Sequence, residues 1–418
     1  MPQIMVKQRT SILEKLFVYL FYLSLILLPT QLGKHFLLQN TLLGGLRIDY
    51  LMPTLYTTDV LVVCFMLLAF RLKNKLPKTT QLLIMTICIY GLLQTLWVPL
   101  PINHLFFIIR LLLLILFGTF IVGCNKSGRV IAWIFLAQLL MLLLISTLQI
   151  LLGHNVGGWL YWLGERHFYL TTPGIALMQL GSQLYLRPYG TFSHPNILAG
   201  YSLLIMIWLY FYFQTRKSIE KIVKAIAIIS GSILVLISYS QAAWIALMLF
   251  WLLVIIGRYK QTIKGQWLCI LFCISLLIPF ILLLIPDGVI TEEINLRNQL
   301  FRVFISNYKH YLLFGWGWWG SLWAIAEEQY VGIKHTLLQP LHHSWFMIIS
   351  SVGVVYIGVV TLFLKRHLRS YKTISIQTFT IVAIVLLLGS FDHYWVTQVQ
   401  TQYLLVFLIG WTMSIGFK

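Results

Sequence analysis

The chain has 418 residues, of which 59% are hydrophobic and 10% charged, too little polar surface to clothe a water-soluble globule. Its formal net charge of +19 would suit nucleic acid if the basic residues formed one solvated face, but they fall in short clusters between long apolar runs. Composition and patterning together exclude a soluble nucleic-acid-binding domain and make lipid the solvent.

A helix needs about 20 apolar residues to cross roughly 30 Å of hydrocarbon. Such runs lie near 14–30, 53–70, 79–98, 105–122, 130–152, 196–213, 225–238, 242–257, 267–285, 342–364, 374–390 and 399–416. The expectation is an all-α integral membrane protein with about twelve transmembrane helices, forming a single membrane domain over 1–418. The first run follows Lys7, Arg9 and Lys15 without a small-residue cleavage site, which reads as a retained helix rather than a signal peptide. Five cysteines (Cys64, Cys88, Cys124, Cys269, Cys273) lack the spacing of a disulfide framework or a zinc site and read as small core hydrophobes.

Loops kept in the cytoplasm carry the Lys and Arg excess. Placing the two termini and the stretches 71–78, 123–129, 214–224, 258–266 and 365–372 on that side collects 21 of the 30 basic residues but only Glu14 and Glu220 among the acids. Both termini are therefore expected to be cytoplasmic. The segment 225–257 must go out and return within 33 residues, so its two helices are expected to fall short of the outer surface, with the turn Ser238-Tyr239-Ser240-Gln241 sunk beside an outward cavity. Two long outward loops, 153–195 and 286–341, are expected to hold short amphipathic helices and the chemistry. In the second, Leu296, Leu300, Phe304 and Tyr308 recur at spacing four before Gly315-Trp316-Gly317-Trp318-Trp319-Gly320.

Arg110 sits inside the fourth run, where snorkelling to the interface competes with a role at a site. Arg187 precedes the helix start after Pro195, where first-turn amides favour an anion, and His194 and Asn196 serve there as caps or ligands. Arg297 and Arg302 are five apart on the amphipathic stretch, so only one faces a cavity, and Arg297 is the better candidate; contact with anionic lipid is the alternative. Of His342 and His343, which open the tenth run, one must turn away. Asp392-His393 is either an orienting pair or a hydrated loop. His310 and His335 share the second loop without a metal-ligand spacing.

The strings Arg187-Pro-Tyr-Gly-Thr-Phe-Ser-His-Pro-Asn196 and Ser238-Tyr-Ser-Gln-Ala-Ala-Trp244, the stretch Arg297 to Gly317, and His343-Ser344 before Gly353 resemble, in this order, the O-antigen ligase and polymerase family. The matching motifs span about 187–360. The resemblance implies a GT-C type membrane glycosyltransferase of the bacterial inner membrane. Such an enzyme moves a glycan from a polyprenyl-pyrophosphate carrier to a lipid, glycan or protein acceptor on the outer face, with no metal or cofactor. Carried over by position, Arg187 and Arg297 hold the pyrophosphate and His343 serves the acceptor. Gln241 stands where the family often has Arg, so a phosphate contact is lost or supplied by Arg110 or Arg302. Guanidinium forks suit this chemistry because pyrophosphate leaves readily once its charge is held. A multi-pass transporter or flippase is the rival reading, and it predicts related halves and charges at the bilayer midplane.

Overall fold

The computed structural model describes residues 12–38, 41–43, 46–124, 127–285, 292–324, 339–368 and 373–416. Lys7, Arg9, His335, Lys418 and parts of the second long loop lie outside the described residues. Each apolar run forms a helix. In chain order these are α1 (Ile12–Ile26), α2 (Thr57–Arg71), α3 (Lys78–Gln94), α4 (Pro101–Gly123), α5 (Gly128–Leu152), α6 (Pro195–Tyr212), α7 (Ser218–Ile237), α8 (Gln241–Tyr259) and α9 (Gln266–Leu283). Then come α10 (Glu292–Ser306) and α11 (Tyr308–Tyr311), which are loop helices, followed by α12 (Ser344–Leu368), α13 (Ile376–Gly389), the short α14 (Tyr394–Thr397) and α15 (Val399–Gly416). Among the described residues, six helices (α4, α5, α6, α8, α9 and α12) are long and apolar enough to cross a membrane. The chain is mostly helical, consistent with an all-α multi-pass membrane protein.

Local chemistry sets the helix ends. Pro195 takes the first position of α6, where its missing N–H costs nothing, and His194 Nδ1 accepts from the Asn196 amide at 3.2 Å. Gly153 closes α5 with φ +71°. The expected shortness of the 225–257 pair is corrected, since α7 begins at Ser218, where Glu220 accepts from the amides of Arg216 (2.7 Å) and Lys217 (3.1 Å). Its 20 residues, and the 19 of α8, each reach about 30 Å. The expectation counted apolar residues only, whereas Lys224 lays its stem along the protein, its ammonium 5.2 Å from the centre of the Tyr210 ring.

The centre is α6, buried on every side, with Tyr201 and Trp208 fully enclosed. It packs on α7 through small residues, and a Cβ added at Gly231 would lie 2.8 Å from Met206 Cβ. Such close backbone approach replaces the hydrophobic drive that lipid does not supply. The cysteine expectation is also corrected: only Cys124 is buried, while Cys64, Cys269 and Cys273 are exposed on apolar helices.

Among the described residues the loops carry four antiparallel two-stranded ribbons that the all-α expectation omitted. They are β1 (Gly33–His35) with β4 (Thr54–Tyr56), β2 (Leu42–Leu43) with β3 (Leu46–Arg47), β5 (Leu177–Leu180) with β6 (Gln183–Leu186), and β7 (Thr262–Lys264) with β8 (Thr373–Ser375). Pairing satisfies backbone groups that a long loop would otherwise leave open. Loops assigned to the basic side meet one another: β7 and β8 join two of them, and Arg129 Nε lies 2.8 Å from Glu220 Oε1 across two others.

In the second long loop, α10 and α11 bury Leu300, Phe301, Phe304 and Tyr311 against Phe280 of α9 and Phe346 of α12. Tyr308 is exposed instead, because the chain breaks at Asn307 and restarts its helix there. Among its described residues the first long loop holds no amphipathic α-helix. It carries a 3₁₀ turn, Gly158–Leu163, with no buried residue, and the β5–β6 ribbon.

Candidate functional site

A cavity of about 940 Å³ opens where the long loops meet the segment 31–56, the first turns of α4 and α6, and the connection after α13. Its charged wall is built from Arg297 on α10, His194 and Asn196 at the start of α6, His342 before α12, and Asp392-His393. The hydrated-loop reading of Asp392-His393 is overturned: both residues are buried.

Asp392 is the hub. Its Oδ2 accepts from Asn196 Nδ2 (3.0 Å), its Oδ1 from the His393 amide (2.7 Å), and its carbonyl from Ser344 Oγ (2.8 Å). Arg297 Nη1 donates to the preceding carbonyl, Phe391 O, at 3.1 Å. Burial opposes ionisation of Asp392, but His393, His342 and His194 when protonated, together with Arg297, hold its carboxyl below the usual carboxylate range. Burial pushes His342 down from its ordinary value, against the pull of Asp392.

Arg187 stands one layer behind this wall and does not line the cavity. Its Nε donates to Ser238 O (2.9 Å) and its Nη2 to Asn196 Oδ1 (2.8 Å). Arg187 thus meets Asn196, the partner of Asp392, and the 238–241 turn rather than the cavity surface. That turn's serines are buried but do not line the cavity, and Gln241 is exposed at the start of α8.

Of the two adjacent histidines, His342 rather than His343 is at the cavity. His343 is 1% exposed, bonds Ser275 O through Nε2 at 3.0 Å, and does not line the cavity. His342 lines it, with Nε2 at 3.2 Å from Gln339 Oε1 and Nδ1 at 3.9 Å from Asp392 Oδ1. The two residues precede α12, where adjacent side chains of non-helical backbone point to different sides, so only one faces the cavity.

Arg302 is exposed and away from the cavity, as the five-residue spacing with Arg297 anticipated. Arg110 does line it, but snorkelling is not its explanation. Its Nη2 lies 2.7 Å from Asp59 Oδ2 and 3.1 Å from Thr54 O. Asp59 also accepts from the Tyr56 amide (2.9 Å) and Tyr403 Oη (2.8 Å), clamping α2, α4 and α15 together. An acid inside the second apolar run was a readable signal of such a partnership.

An aromatic wall faces the charged one. At Gly353 (φ +75°) α12 breaks, and the carbonyls that the break releases are met by neighbours. Trp316 N donates to Ser350 O (2.8 Å), Gly317 N to Ser351 O (3.1 Å), and Gln94 Nε2 to Ser351 O (3.0 Å). This stitching delivers Trp318 onto Phe107, stacked at 3.9 Å, and Trp319 beside Tyr50, whose ring lies edge-on to His393 at 5.9 Å. The sequence reading also missed Glu165, which ties the first long loop to α5 by accepting from Val156 N (2.7 Å), Gly157 N (2.6 Å) and Gln149 Nε2 (2.8 Å). Nothing local in the sequence marks Tyr50 or Arg166 as cavity residues, yet both line it.

Cations held beside a neutralised carboxylate suit an anionic ligand, and flat aromatic faces suit sugar rings. A half-buried imidazole at the cavity wall, with one nitrogen toward a carboxylate, suits proton transfer. No protein-family model matches this sequence, and no curated protein matches it.

Proposed function

We propose that the protein is a membrane glycosyltransferase of the O-antigen ligase or polymerase type, taking a glycan from a polyprenyl-pyrophosphate carrier. The observation that carries the reading is the convergence of Arg297, His342 and Asp392 from three separate segments on one cavity wall, opposite tryptophan and tyrosine. All twelve apolar helices cross the bacterial inner membrane in this reading, in a GT-C-like arrangement with both termini cytoplasmic. The cavity then opens outward, since the loops that form it carry none of the basic clusters.

Arg297 holds the diphosphate charge in the cavity. The acceptor hydroxyl oxygen attacks the anomeric carbon, and the bond from that carbon to the diphosphate oxygen breaks. Polyprenyl diphosphate leaves with the electron pair, and the hydroxyl proton passes to His342 Nδ1. Asp392 stabilises the resulting imidazolium, while Asn196 and Arg187 keep Asp392 in place. The test is purified protein mixed with a synthetic polyprenyl-pyrophosphate glycan and a hydroxyl acceptor, following release of the carrier. Carrier release coupled to glycan on the acceptor is expected; unchanged donor across acceptor types sinks the proposal.

A further inference from the structure

His342, Asp392 and His393 each offer one metal-ligating atom, and these atoms lie within 4.8 Å of one another. Fifty residues of sequence separate His342 from Asp392, so no ligand spacing announces the group. The far nitrogen of each histidine is already engaged. His342 Nε2 faces Gln339 Oε1, which only accepts, so the proton sits on Nε2 and the Nδ1 lone pair is left toward Asp392. Thr397 Oγ1 donates to His393 O (3.3 Å) and thereby accepts from His393 Nδ1 (2.9 Å), leaving the Nε2 lone pair also toward Asp392. His342 Nδ1 is buried without a hydrogen-bond partner. In the neutral imidazoles two lone pairs and a carboxylate oxygen thus lie close together, each ring oriented by an outer oxygen as metal-bound histidines are.

We propose that His342 Nδ1, Asp392 Oδ1 and His393 Nε2 form a binding site for a divalent transition-metal ion of the zinc class. The two nitrogens lie 3.9 and 4.0 Å from Asp392 Oδ1. Ligands around a tetrahedral zinc ion lie about 3.3 Å apart, so each nitrogen must close by about 0.6–0.7 Å on Asp392 Oδ1 and the two nitrogens on each other by up to about 1.5 Å, within reach of ring rotation. Two imidazoles and one carboxylate favour zinc, cobalt or nickel over magnesium or calcium, which prefer all-oxygen shells. The fourth position faces the cavity. The ion consumes the lone pair that takes the acceptor proton, so on the proposed glycosyl-transfer reading, and only on it, occupancy inhibits transfer reversibly and chelator restores it.

The binding test needs no substrate, which separates it from the proposed activity. Purified full-length protein in detergent is titrated with Co²⁺, read by visible absorption, and then with Zn²⁺ in competition. One tetrahedral cobalt site per chain is expected, displaced by zinc and lost in Asp392→Asn and His393→Gln. Thr397→Val keeps the shape but removes the oxygen that orients His393, and should weaken binding about ten- to a hundredfold. His35→Gln, a cavity histidine bonded instead to Thr54 at 2.7 Å, should bind as wild type. Absence of a site-bound cobalt spectrum in folded wild-type protein overturns the proposal. So does wild-type affinity in both Thr397→Val and His393→Gln. Metal binding without any glycan transfer would leave the site standing and remove the proposed function.

Discussion

Replacing each of the two adjacent histidines by glutamine separates a cavity group from a packing group. His343 makes two neutral bonds, Nε2 donating to Ser275 O at 3.0 Å and Nδ1 accepting from the Phe346 amide at 3.3 Å, and has 1% exposure; a glutamine amide can donate to the same carbonyl. At most those two bonds are lost, worth about 1–3 kcal/mol of stability, with transfer close to wild type. His342 lines the cavity and presents Nδ1 toward Asp392, and a glutamine there can orient an acceptor but cannot take its proton. Losing a positioned base costs about a hundredfold to ten-thousandfold, equivalent to roughly 2.7–5.4 kcal/mol of barrier. The assay is single-turnover carrier release by purified variants in nanodiscs, after matching their amount in the membrane and their thermal unfolding. Full turnover in His342→Gln with loss in His343→Gln would refute the assignment, and equal loss in both would attribute the effect to packing at the start of α12.

Asp59→Asn should destabilise the protein by about 2–4 kcal/mol in SDS-titration unfolding, the lower part of the range for a buried pair because Arg110 retains 17% exposure. The double variant Asp59→Asn with Arg110→Gln should cost less than the sum of the single changes, and strict additivity would show that the two charges do not act as a pair. Gly353→Ala should lower the unfolding temperature, since φ +75° disfavours any side chain and the new Cβ would collide with Leu313 O; an unchanged melting curve would mean the break in α12 is dispensable. For topology, Trp159→Cys (86% exposed) should react with a membrane-impermeant maleimide on intact spheroplasts. Lys75→Cys should react only after permeabilisation, and the reverse pattern inverts the orientation.

Helix positions were legible because each apolar run closes its own backbone hydrogen bonds and meets lipid through its own side chains. No distant partner is needed to specify it. Where the reading slipped, at Ser218–Lys224, the cause was also local: long cationic stems let a helix begin inside a charged cluster. Arg297 and Asp392 stood out in sequence as charges beside apolar helices, and both lie at the cavity. What only the tertiary structure decided is which groups meet. Asn196 and Asp392 are 196 positions apart and Asp59 and Tyr403 are 344 apart, distances over which residue spacing carries no information about contact. The choice between His342 and His343 turned on the backbone just before α12, fixed by what packs around it. Arg187 lies behind the cavity wall because the Ser238 carbonyl and the Asn196 side chain reach it across the fold, partners that packing brought to one guanidinium.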